Sequence, residues 1–326
     1  MATGGFSSKG LARVRELVAH QVESGVVPGA VGVLARRGEV HVVASGTLAF
    51  EGTGAGTPMA ADTICRTASM TKPLVAACAM TLVDDRTLSL DDPVDDLLPE
   101  LADMSVLVDF HGPLDDTVPA RRRITLRDLL AYTCGIGVIP TKPGKVPLID
   151  ALNALDYSTP DEWMRGLGAL PLAHQPGERW LYDTASNVTG VLIARATGMS
   201  FGDAFRERLC EPLGMKDTAF SVSGADLARL ATAYQRDSPA GARVVDDGPD
   251  GRWSRPPVFE SGGGGLVSTA QDYFAFAAAL LAGGTHRGRR VFSRSAVALM
   301  TTDQLTPAQR ENSGFWPGFF NELGWG

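Results

Sequence analysis

The chain has 326 residues, of which 44% are hydrophobic and 21% are charged, a composition typical of a protein with a sizeable folded core. Its formal net charge of -7 argues against a nucleic-acid partner, because nucleic-acid binding calls for a basic surface. No stretch approaches the run of about 20 apolar residues that a membrane-spanning helix needs. We therefore expect a globular protein with neither a nucleic-acid nor a membrane partner.

The first 25 residues contain no apolar segment of the kind that a secretory signal carries, so we expect a cytoplasmic location, with a mature exported form as the alternative. The cysteines are scattered and form no CxxC pair, which indicates isolated buried thiols rather than disulfides or metal ligands. The histidines form no HExxH motif and no cluster. The sequence thus predicts neither a metal nor an organic cofactor.

Hydrophobic patterns predict the elements of the first part of the chain. Residues 8–24 place an apolar stripe at helical spacing opposite charged side chains and indicate an amphipathic helix. Residues 30–46 alternate apolar and polar side chains on both sides of "RRG", which predicts a β-hairpin with Gly38 in its turn. From Thr67 to about Arg86 nearly every helical face is apolar, so a buried helix is expected.

Further helices are predicted at 124–137, 187–198 and 200–214, and after the glycine run 262–265. The last of these helices should begin at Ser268 or Thr269 as its N-cap and end at Gly283–Gly284. Strands near the start and helices in the middle indicate an α+β fold. We expect one domain over 1–326 with two lobes: a sheet lobe from 1–65 and 255–326, and a mainly helical lobe from 66–254.

Two serines stand in patterns that are found around nucleophiles. The sequence "GMSFG" has the spacing of a hydrolase nucleophile elbow, which needs a buried strand before its serine. Here the preceding residues have helical periodicity and end at Gly198. Ser200 is followed three residues later by Asp203, as in a capping box. We therefore expect Ser200 to cap a helix.

The other serine, in "RTASMTKPL", has a lysine three residues later. On a helix Ser69 and Lys72 lie one turn apart on the same face, within reach of each other. A helix N-terminus also supplies N–H groups that stabilise a developing oxyanion. Burial would favour the neutral Lys72 amine, which could accept the serine proton. An SxxK match alone is weak, because two common residues recur at this spacing by chance.

Residues 63–101 resemble the serine β-lactamase and penicillin-binding-protein-like family, and in particular the branch that holds class C β-lactamases and family VIII carboxylesterases. The likeness continues in order through "ITLRDLLAYTCGIG", "HQPGERWLYDTASNVTGVLIARATG", "CEPLGMKDTAF" and "GGGLVSTAQDYFAFAAALLAGG". It implies a β-lactamase/transpeptidase-like fold, in which an antiparallel sheet flanked by helices accompanies a mainly helical lobe. It also implies a catalytic set of serine, lysine and tyrosine.

The resemblance implies that Ser69 is the nucleophile and Lys72 its lysine. It also implies that Tyr182, the tyrosine of "YDT", is a general base or proton shuttle. The third residue of the tyrosine motif is usually asparagine in β-lactamases, whereas this chain has Thr184, a candidate substrate-binding residue. That departure favours the esterase branch. The family's third motif, Lys-Thr-Gly or a His or Trp variant, lies on a strand beyond Gly326. We therefore expect a functional parent with more C-terminal sequence.

The expected function is that of a serine hydrolase that works through an acyl-enzyme, in the first place a carboxylesterase on small to medium acyl esters. The alternatives are a β-lactamase, a D-amino-acid peptidase or amide hydrolase, and an acyltransferase. A catalytically silent penicillin-binding-like module is the non-enzymatic alternative. The expected partner is a small-molecule ester or amide.

Overall fold

The computed structural model describes residues 4–238, 241–246, 248–313, 318–321 and 324–325. Its backbone contacts divide the chain into two compact units. The first unit holds Met1–Ala68, Leu213–Pro257 and Gly265–Ala278, and the second holds Ser69–Pro212, Val258–Gly264 and Ala279–Gly326. The predicted lobes, 1–65 with 255–326 and 66–254, stay a prediction.

The N-terminal part of the first unit is a helix on a hairpin. Helix α1 (Ser8–Glu23) packs against the antiparallel strands β1 (Gly29–Arg36) and β2 (Glu39–Gly46), as predicted. The two turn residues, Arg37 and Gly38, have φ values of 50° and 81°. Positive φ at both central positions is what a tight hairpin turn requires, and glycine adopts it without strain.

The rest of the first unit consists of short antiparallel pairs. Strand β3 (Cys65–Arg66) pairs with β8 (Val267–Ser268), and β6 (Ala233–Ser238) pairs with β7 (Gly241–Asp246). A small apolar cluster packs beside them and holds Ile64, Val222, Leu230, Trp253 and Val267. Pairs of strands, rather than one continuous sheet, make up the described β-structure.

The second unit is mainly helical, and its centre is helix α2 (Thr71–Asp84). Leu74, Cys78 and Leu82 on this helix are fully buried, which confirms the predicted buried helix. It starts later than the expected Thr67, because Ala68 has a φ of 45° and residues Ala68–Met70 form a 3₁₀ turn. Ser69 therefore lies in the turn that leads into the helix rather than in the helix itself.

Several shorter elements surround α2. They are strands β4 (Ser105–Leu107) and β5 (Thr117–Pro119), paired with each other, and helices α3 (Leu126–Leu130), α4 (Pro147–Asn153), α5 (Pro160–Gly168) and α6 (Thr184–Thr197). Helices α2 and α3 both pack against α6. The predicted helix 124–137 is wrong in its length, because Tyr132 has a φ of 60° and the chain leaves the helical path there.

The predicted helix 200–214 exists as α7 (Phe201–Phe205), a π turn (Arg206–Cys210) and α8 (Glu211–Leu213). Ser200 has an extended backbone, and its Oγ accepts a hydrogen bond from the Asp203 N–H at 3.0 Å. This bond satisfies one of the N–H groups that a helix start leaves without a partner. The prediction that Ser200 is a helix cap is confirmed.

The C-terminal elements begin with helix α9 (Ala270–Leu281). Thr269 is its cap, because Thr269 Oγ1 accepts a hydrogen bond from the Asp272 N–H at 3.1 Å. Strands β9 (Thr285–His286) and β10 (Arg289–Arg290) then pair, and helices α10 (Arg294–Met300) and α11 (Pro307–Glu311) follow. None of the helices in the described residues is long and apolar enough to cross a membrane.

The cysteines of the chain are free thiols. Cys78, Cys134 and Cys210 are buried, and Cys65 is partly buried. Burial raises the pKa of Cys65 to about 11 and of Cys78 and Cys134 to about 12, because a thiolate is poorly solvated in an apolar environment. These three side chains are therefore protonated and unreactive near neutral pH.

Candidate active site

The candidate nucleophile Ser69 is exposed, whereas Lys72 beside it is buried, with only 5% of its side chain accessible. Lys72 Nζ donates a hydrogen bond to Ser69 Oγ at 3.1 Å. The contact arises because the 3₁₀ turn and the first turn of α2 place positions 69 and 72 on one side of the chain. An exposed hydroxyl in contact with a buried amine is suited to nucleophilic attack on a ligand from solvent.

Lys72 Nζ has two further acceptors. The Asp183 carboxylate lies 2.6 Å away through Oδ1, and the backbone carbonyl oxygen of Gly263 lies 2.5 Å away. An ammonium group has three N–H donors, and the three acceptors match that number. Of these three acceptors, Asp183 is the ion-pair partner of the buried lysine.

Tyr182 completes the predicted set. Lys72 Nζ lies 4.6 Å from the centroid of the Tyr182 ring, within the range of a cation–π contact. The Tyr182 backbone is held by Val138, whose N–H donates to the Tyr182 carbonyl at 2.9 Å and whose carbonyl accepts from the Tyr182 N–H at 3.3 Å. The structure thus brings together the three side chains that the sequence singled out.

Ser69, Lys72 and Tyr182 line one cavity of about 490 Å³, a size that suits a small organic molecule. Tyr132, Ser186 and Thr189, which carry hydroxyl groups, also line it. The remaining lining is mainly apolar and includes Pro73, Val75, Ala76, Leu129, Leu130, Met300, Phe319 and Trp325. A largely apolar wall with a few polar residues is typical of a site for a small organic ligand.

Thr184, the candidate substrate-binding residue, does not line the described cavity. It is the buried first residue of α6, and its N–H donates to the Tyr182 carbonyl at 3.2 Å. From α6, Ser186 and Thr189 line the cavity instead. A substrate-binding role for Thr184 stays a prediction, and no contact with the cavity accompanies it.

Two polar residues that sequence reasoning passed over contribute to the site. Asp183 is the counter-ion of Lys72. Asn187 Oδ1 accepts hydrogen bonds from the Gly263 N–H and from Ser261 Oγ, both at 2.9 Å, and so fixes the loop whose carbonyl meets Lys72. The sequence offered one indication that Asp183 and Asn187 belong to the site, since both lie within five positions of Tyr182.

The glycine run also has a structural reason. A Cβ atom on Gly262 would lie 2.2 Å from the carbonyl oxygen of Ser186, and one on Gly263 would lie 3.1 Å from Asp183 Oδ1. These distances leave no room for a side chain at Gly262 and little at Gly263. The run at 262–265 therefore allows the loop to approach the start of α6 closely enough for its carbonyl to reach Lys72.

Three residues at or next to the site residues have a strained backbone. Ala68, Tyr132 and Asp183 have φ values of 45°, 60° and 81°, a region that residues other than glycine rarely adopt. Such conformations persist where the surrounding structure imposes them, and they cluster at functional sites. Ala68 directly precedes Ser69, Tyr132 is hydrogen-bonded to Ser186, and Asp183 forms the ion pair with Lys72.

Tyr132 is buried, and its hydroxyl is hydrogen-bonded to Ser186 Oγ. Burial raises the pKa of the Tyr132 phenol well above its usual range, and the hydrogen bond with Ser186 offsets only part of that effect. Tyr132 is therefore neutral at ordinary pH.

A sequence model of the beta-lactamase family matches residues 14–326. The chain belongs to the beta-lactamase family. An uncharacterised protein of Mycobacterium tuberculosis is 41% identical to it over 91% of this chain and 74% of the relative. Esterase EstB of Burkholderia gladioli is 34% identical over 75% of this chain and 63% of the esterase.

Solved structures agree with this assignment. EstCE1, described as a hydrolase with promiscuous acyltransferase activity, is 26% identical and aligns with a TM-score of 0.74 over 97% of this chain and 81% of its own. Unliganded simvastatin synthase of Aspergillus terreus, as its selenomethionyl derivative, is 28% identical, with a TM-score of 0.75 over 94% and 75% of the two chains. The expected β-lactamase-like α+β fold is thus confirmed.

The close approach at Gly262 leads to a testable prediction. Gly262→Ala should force the loop away from Ser186 and withdraw the Gly263 carbonyl from Lys72. Because a displacement of about 1 Å can cost roughly 100-fold in rate, we expect Ser69 to react with a fluorophosphonate probe about 100 times more slowly. The measurement is the labelling rate, followed by mass spectrometry of the intact protein.

Gly32→Ala is the matched control for this variant. A Cβ atom at position 32 in β1 would lie 3.9 Å from Val18 Cγ2, an ordinary contact, so its labelling rate should equal that of the parent. An unchanged labelling rate in Gly262→Ala would contradict the proposed role of the loop.

Proposed function

We propose that the protein is a serine hydrolase that works through an acyl-enzyme, and that its substrates are carboxylic esters with small to medium acyl groups. The observation that carries the proposal is the hydrogen bond from Lys72 Nζ to the exposed Ser69 Oγ at 3.1 Å, in a cavity that Tyr182 also lines. A nucleophile, a cation and a phenol in one cavity are the groups that acyl transfer needs.

In the first half of the proposed reaction, Ser69 Oγ attacks the ester carbonyl carbon and loses its proton to a neighbouring base. A tetrahedral intermediate forms, and its oxyanion receives a hydrogen bond from the Ser69 backbone N–H. The C–O bond to the alcohol then breaks, and the alcohol leaves with the proton. Lys72 and Tyr182 are the groups in position to carry that proton.

In the second half, a water molecule attacks the acyl-serine ester. Tyr182 accepts a proton from this water, a second tetrahedral intermediate forms, and the bond to Ser69 Oγ breaks. The carboxylic acid is released, and the proton returns to Ser69. The hydrogen bond from Lys72 to Oγ stabilises the negative charge that develops on this oxygen when the acyl-serine bond breaks.

An ester substrate is favoured over an amide by Thr184, which stands where amide-hydrolysing relatives have asparagine in the tyrosine motif. The resemblance to Esterase EstB supports the same substrate class. The apolar cavity wall, with Leu129, Leu130 and Met300, suits the hydrocarbon part of an acyl group.

Acyl transfer to an alcohol is the second candidate. Both simvastatin synthase and EstCE1, with its promiscuous acyltransferase activity, have the same fold. Chemically the two reactions share the acyl-enzyme and differ only in whether water or an alcohol attacks it. An apolar cavity lowers the local concentration of water and so favours an alcohol that binds there.

The serine itself provides the direct test of the proposal. Ser69→Ala removes the nucleophile, so hydrolysis of p-nitrophenyl butyrate should fall to a trace, by about 10⁴-fold or more. Ser200→Ala is the matched control and should keep the parental rate, because Ser200 Oγ serves only as a helix cap. Substantial hydrolysis by folded Ser69→Ala protein would contradict the mechanism.

Competition between acceptors separates the candidate reactions. We expect p-nitrophenyl butyrate to be cleaved much faster than nitrocefin, because the amide-holding asparagine is replaced by Thr184. In the presence of a bulky alcohol, chromatography of the products gives the ratio of new ester to free acid. Nitrocefin cleavage at ester-like rates would favour a β-lactamase, and labelling without turnover of any ester would favour a silent binding module.

A further inference from the structure

A second, smaller cavity shares part of its wall with the 490 Å³ cavity at Ser69, which we call the catalytic cavity. Ala76 on α2, Leu130 at the end of α3 and Met300 at the end of α10 line both cavities. The second cavity has a volume of about 40 Å³, and we call it the annex. The rest of its wall is formed by Met80, Leu90, Arg127, Ala131, Leu299 and Gln304.

The annex suits a hydrocarbon, because the two polar side chains in its wall are engaged with other groups of the protein. Arg127 forms an ion pair with Asp91 through Nε at 2.6 Å and Nη2 at 3.0 Å. Gln304 Nε2 donates hydrogen bonds to the carbonyl oxygens of Leu299 and Thr302, both at 3.1 Å. A polar ligand would compete with these bonds, whereas a hydrocarbon gains from burial alone.

Hydrogen bonds to backbone carbonyl oxygens hold the wall of the annex in place. The Arg127 N–H donates to the Leu90 carbonyl at 2.8 Å. The Gln304 N–H donates to the Trp325 carbonyl at 2.7 Å, and Trp325 Nε1 donates to the Leu130 carbonyl at 3.2 Å. Since Trp325 also lines the catalytic cavity, these bonds connect the walls of the two cavities. The annex is therefore a fixed neighbour of the catalytic cavity.

Met300 is the long, flexible side chain in the shared wall. It is the last residue of α10, which packs against α2, and it is partly buried. A methionine side chain is unbranched, with three rotatable bonds, and adapts its shape to what it contacts. Because it can change rotamer without a change in the backbone, Met300 is the side chain that can open the shared wall to a ligand.

Positions along α2 indicate how long a ligand must be to reach the annex. Ala76 lies four residues beyond Lys72, or about 6 Å along a helix that rises about 1.5 Å per residue. An extended chain advances about 1.2 Å per bond, so about five carbon atoms beyond an acyl carbonyl cover this distance. The annex volume of about 40 Å³ corresponds to roughly three water-sized groups and thus to two or three further methylene groups.

We propose that the annex is a subsite for the end of an acyl chain, with Met300 as a specificity-determining residue, and that the substrates are esters of linear carboxylic acids of about eight carbon atoms. This inference rests on the proposed function, because the chain is the acyl group that Ser69 carries in the acyl-enzyme. The acyl group stays bound to Ser69 while the alcohol leaves and water enters. A chain end enclosed in the annex holds it in place during that exchange.

A series of p-nitrophenyl esters from butyrate to dodecanoate, each kept below the concentration of micelle formation, tests the proposal. Each methylene group that enters the annex should raise kcat/KM about fourfold through its transfer out of water. We therefore expect kcat/KM to rise at least tenfold from hexanoate to octanoate and to rise no further at dodecanoate. A kcat/KM that stays level or falls from hexanoate to octanoate would contradict the proposal.

Leu299→Trp places a larger side chain in the annex. Leu299 is partly buried and lines the annex, whereas the described lining of the catalytic cavity does not include it. The ratio of kcat/KM for octanoate to that for butyrate should fall at least tenfold, because the chain end loses its enclosed position. Leu281→Trp, the same change at a side chain that is 92% exposed, is the control and should keep the parental ratio. An unchanged ratio in folded Leu299→Trp protein would overturn the proposal.

Met300→Ala gives an independent measurement in case Leu299→Trp does not fold. The shorter side chain widens the passage and enlarges the annex, so the ester with the highest kcat/KM should change from octanoate to decanoate, a gain of roughly two methylene groups. The same optimum chain length in the parent and in Met300→Ala would contradict the role assigned to Met300.

Alkyl butyrates from ethyl to octyl butyrate distinguish the acyl end of the ester from the alcohol end. Binding of the acyl chain in the annex predicts that Leu299→Trp and the parent depend in the same way on the length of the alcohol. A loss confined to the longer alcohols would place the alcohol in the annex and would overturn the proposal.

Fluorophosphonate labelling of Ser69 in the parent protein separates this inference from the proposed function. If Ser69 is labelled and p-nitrophenyl butyrate is hydrolysed, failure of the chain-length predictions overturns the annex as a subsite and leaves the proposed function intact. If neither occurs, the proposed function fails, and the inference fails with it.

Discussion

The hydrogen bonds of one ammonium group organise the site. Lys72 Nζ joins Ser69, three residues before it, to Asp183 and Gly263, which lie 111 and 191 residues further along the chain. A buried cation is tolerated only where each of its N–H donors finds an acceptor and its charge is balanced. That requirement couples the start of α2, the approach to α6 and the glycine loop, and it determines where Ser69 lies.

The local features of these three segments follow from the same constraint. The 3₁₀ turn at Ala68–Met70 exposes Ser69 while α2 continues into the core. The positive φ of Asp183 turns its carboxylate toward the lysine, and Gly262 lets the loop pass close to Ser186. Each feature is unfavourable or restrictive by itself, and each is explained by a contact at Lys72. Strain at a site is expected where geometry serves chemistry rather than stability.

The sequence predicts the parts of this structure that depend on near neighbours. The hairpin turn at Gly38, the cap at Ser200 and the spacing of Ser69 and Lys72 are local patterns, and each of them appears in the structure as expected. The ion pair with Asp183 and the bond to Gly263 could not be predicted, because no local rule connects positions so far apart. The early end of α3 was missed for a related reason, since Tyr132 leaves the helix to meet Ser186 on α6.

The ion pair at Lys72 shows what such distant contacts add to the site. The folded chain places the Asp183 carboxylate 2.6 Å from Lys72 Nζ. In the proposed reaction either Lys72 or Tyr182 can carry the proton of Ser69. A covalent intermediate on Ser69 is therefore the central claim, and it does not depend on which neighbour takes the proton.

The most direct measurement is mass spectrometry of the protein quenched in acid during turnover of p-nitrophenyl butyrate. The account predicts a protein that is heavier by one butyryl group, and peptide mapping should place that group on Ser69. A butyryl group on another residue, or hydrolysis that proceeds with no acylated protein under conditions where the first half of the reaction is faster than the second, would contradict the account.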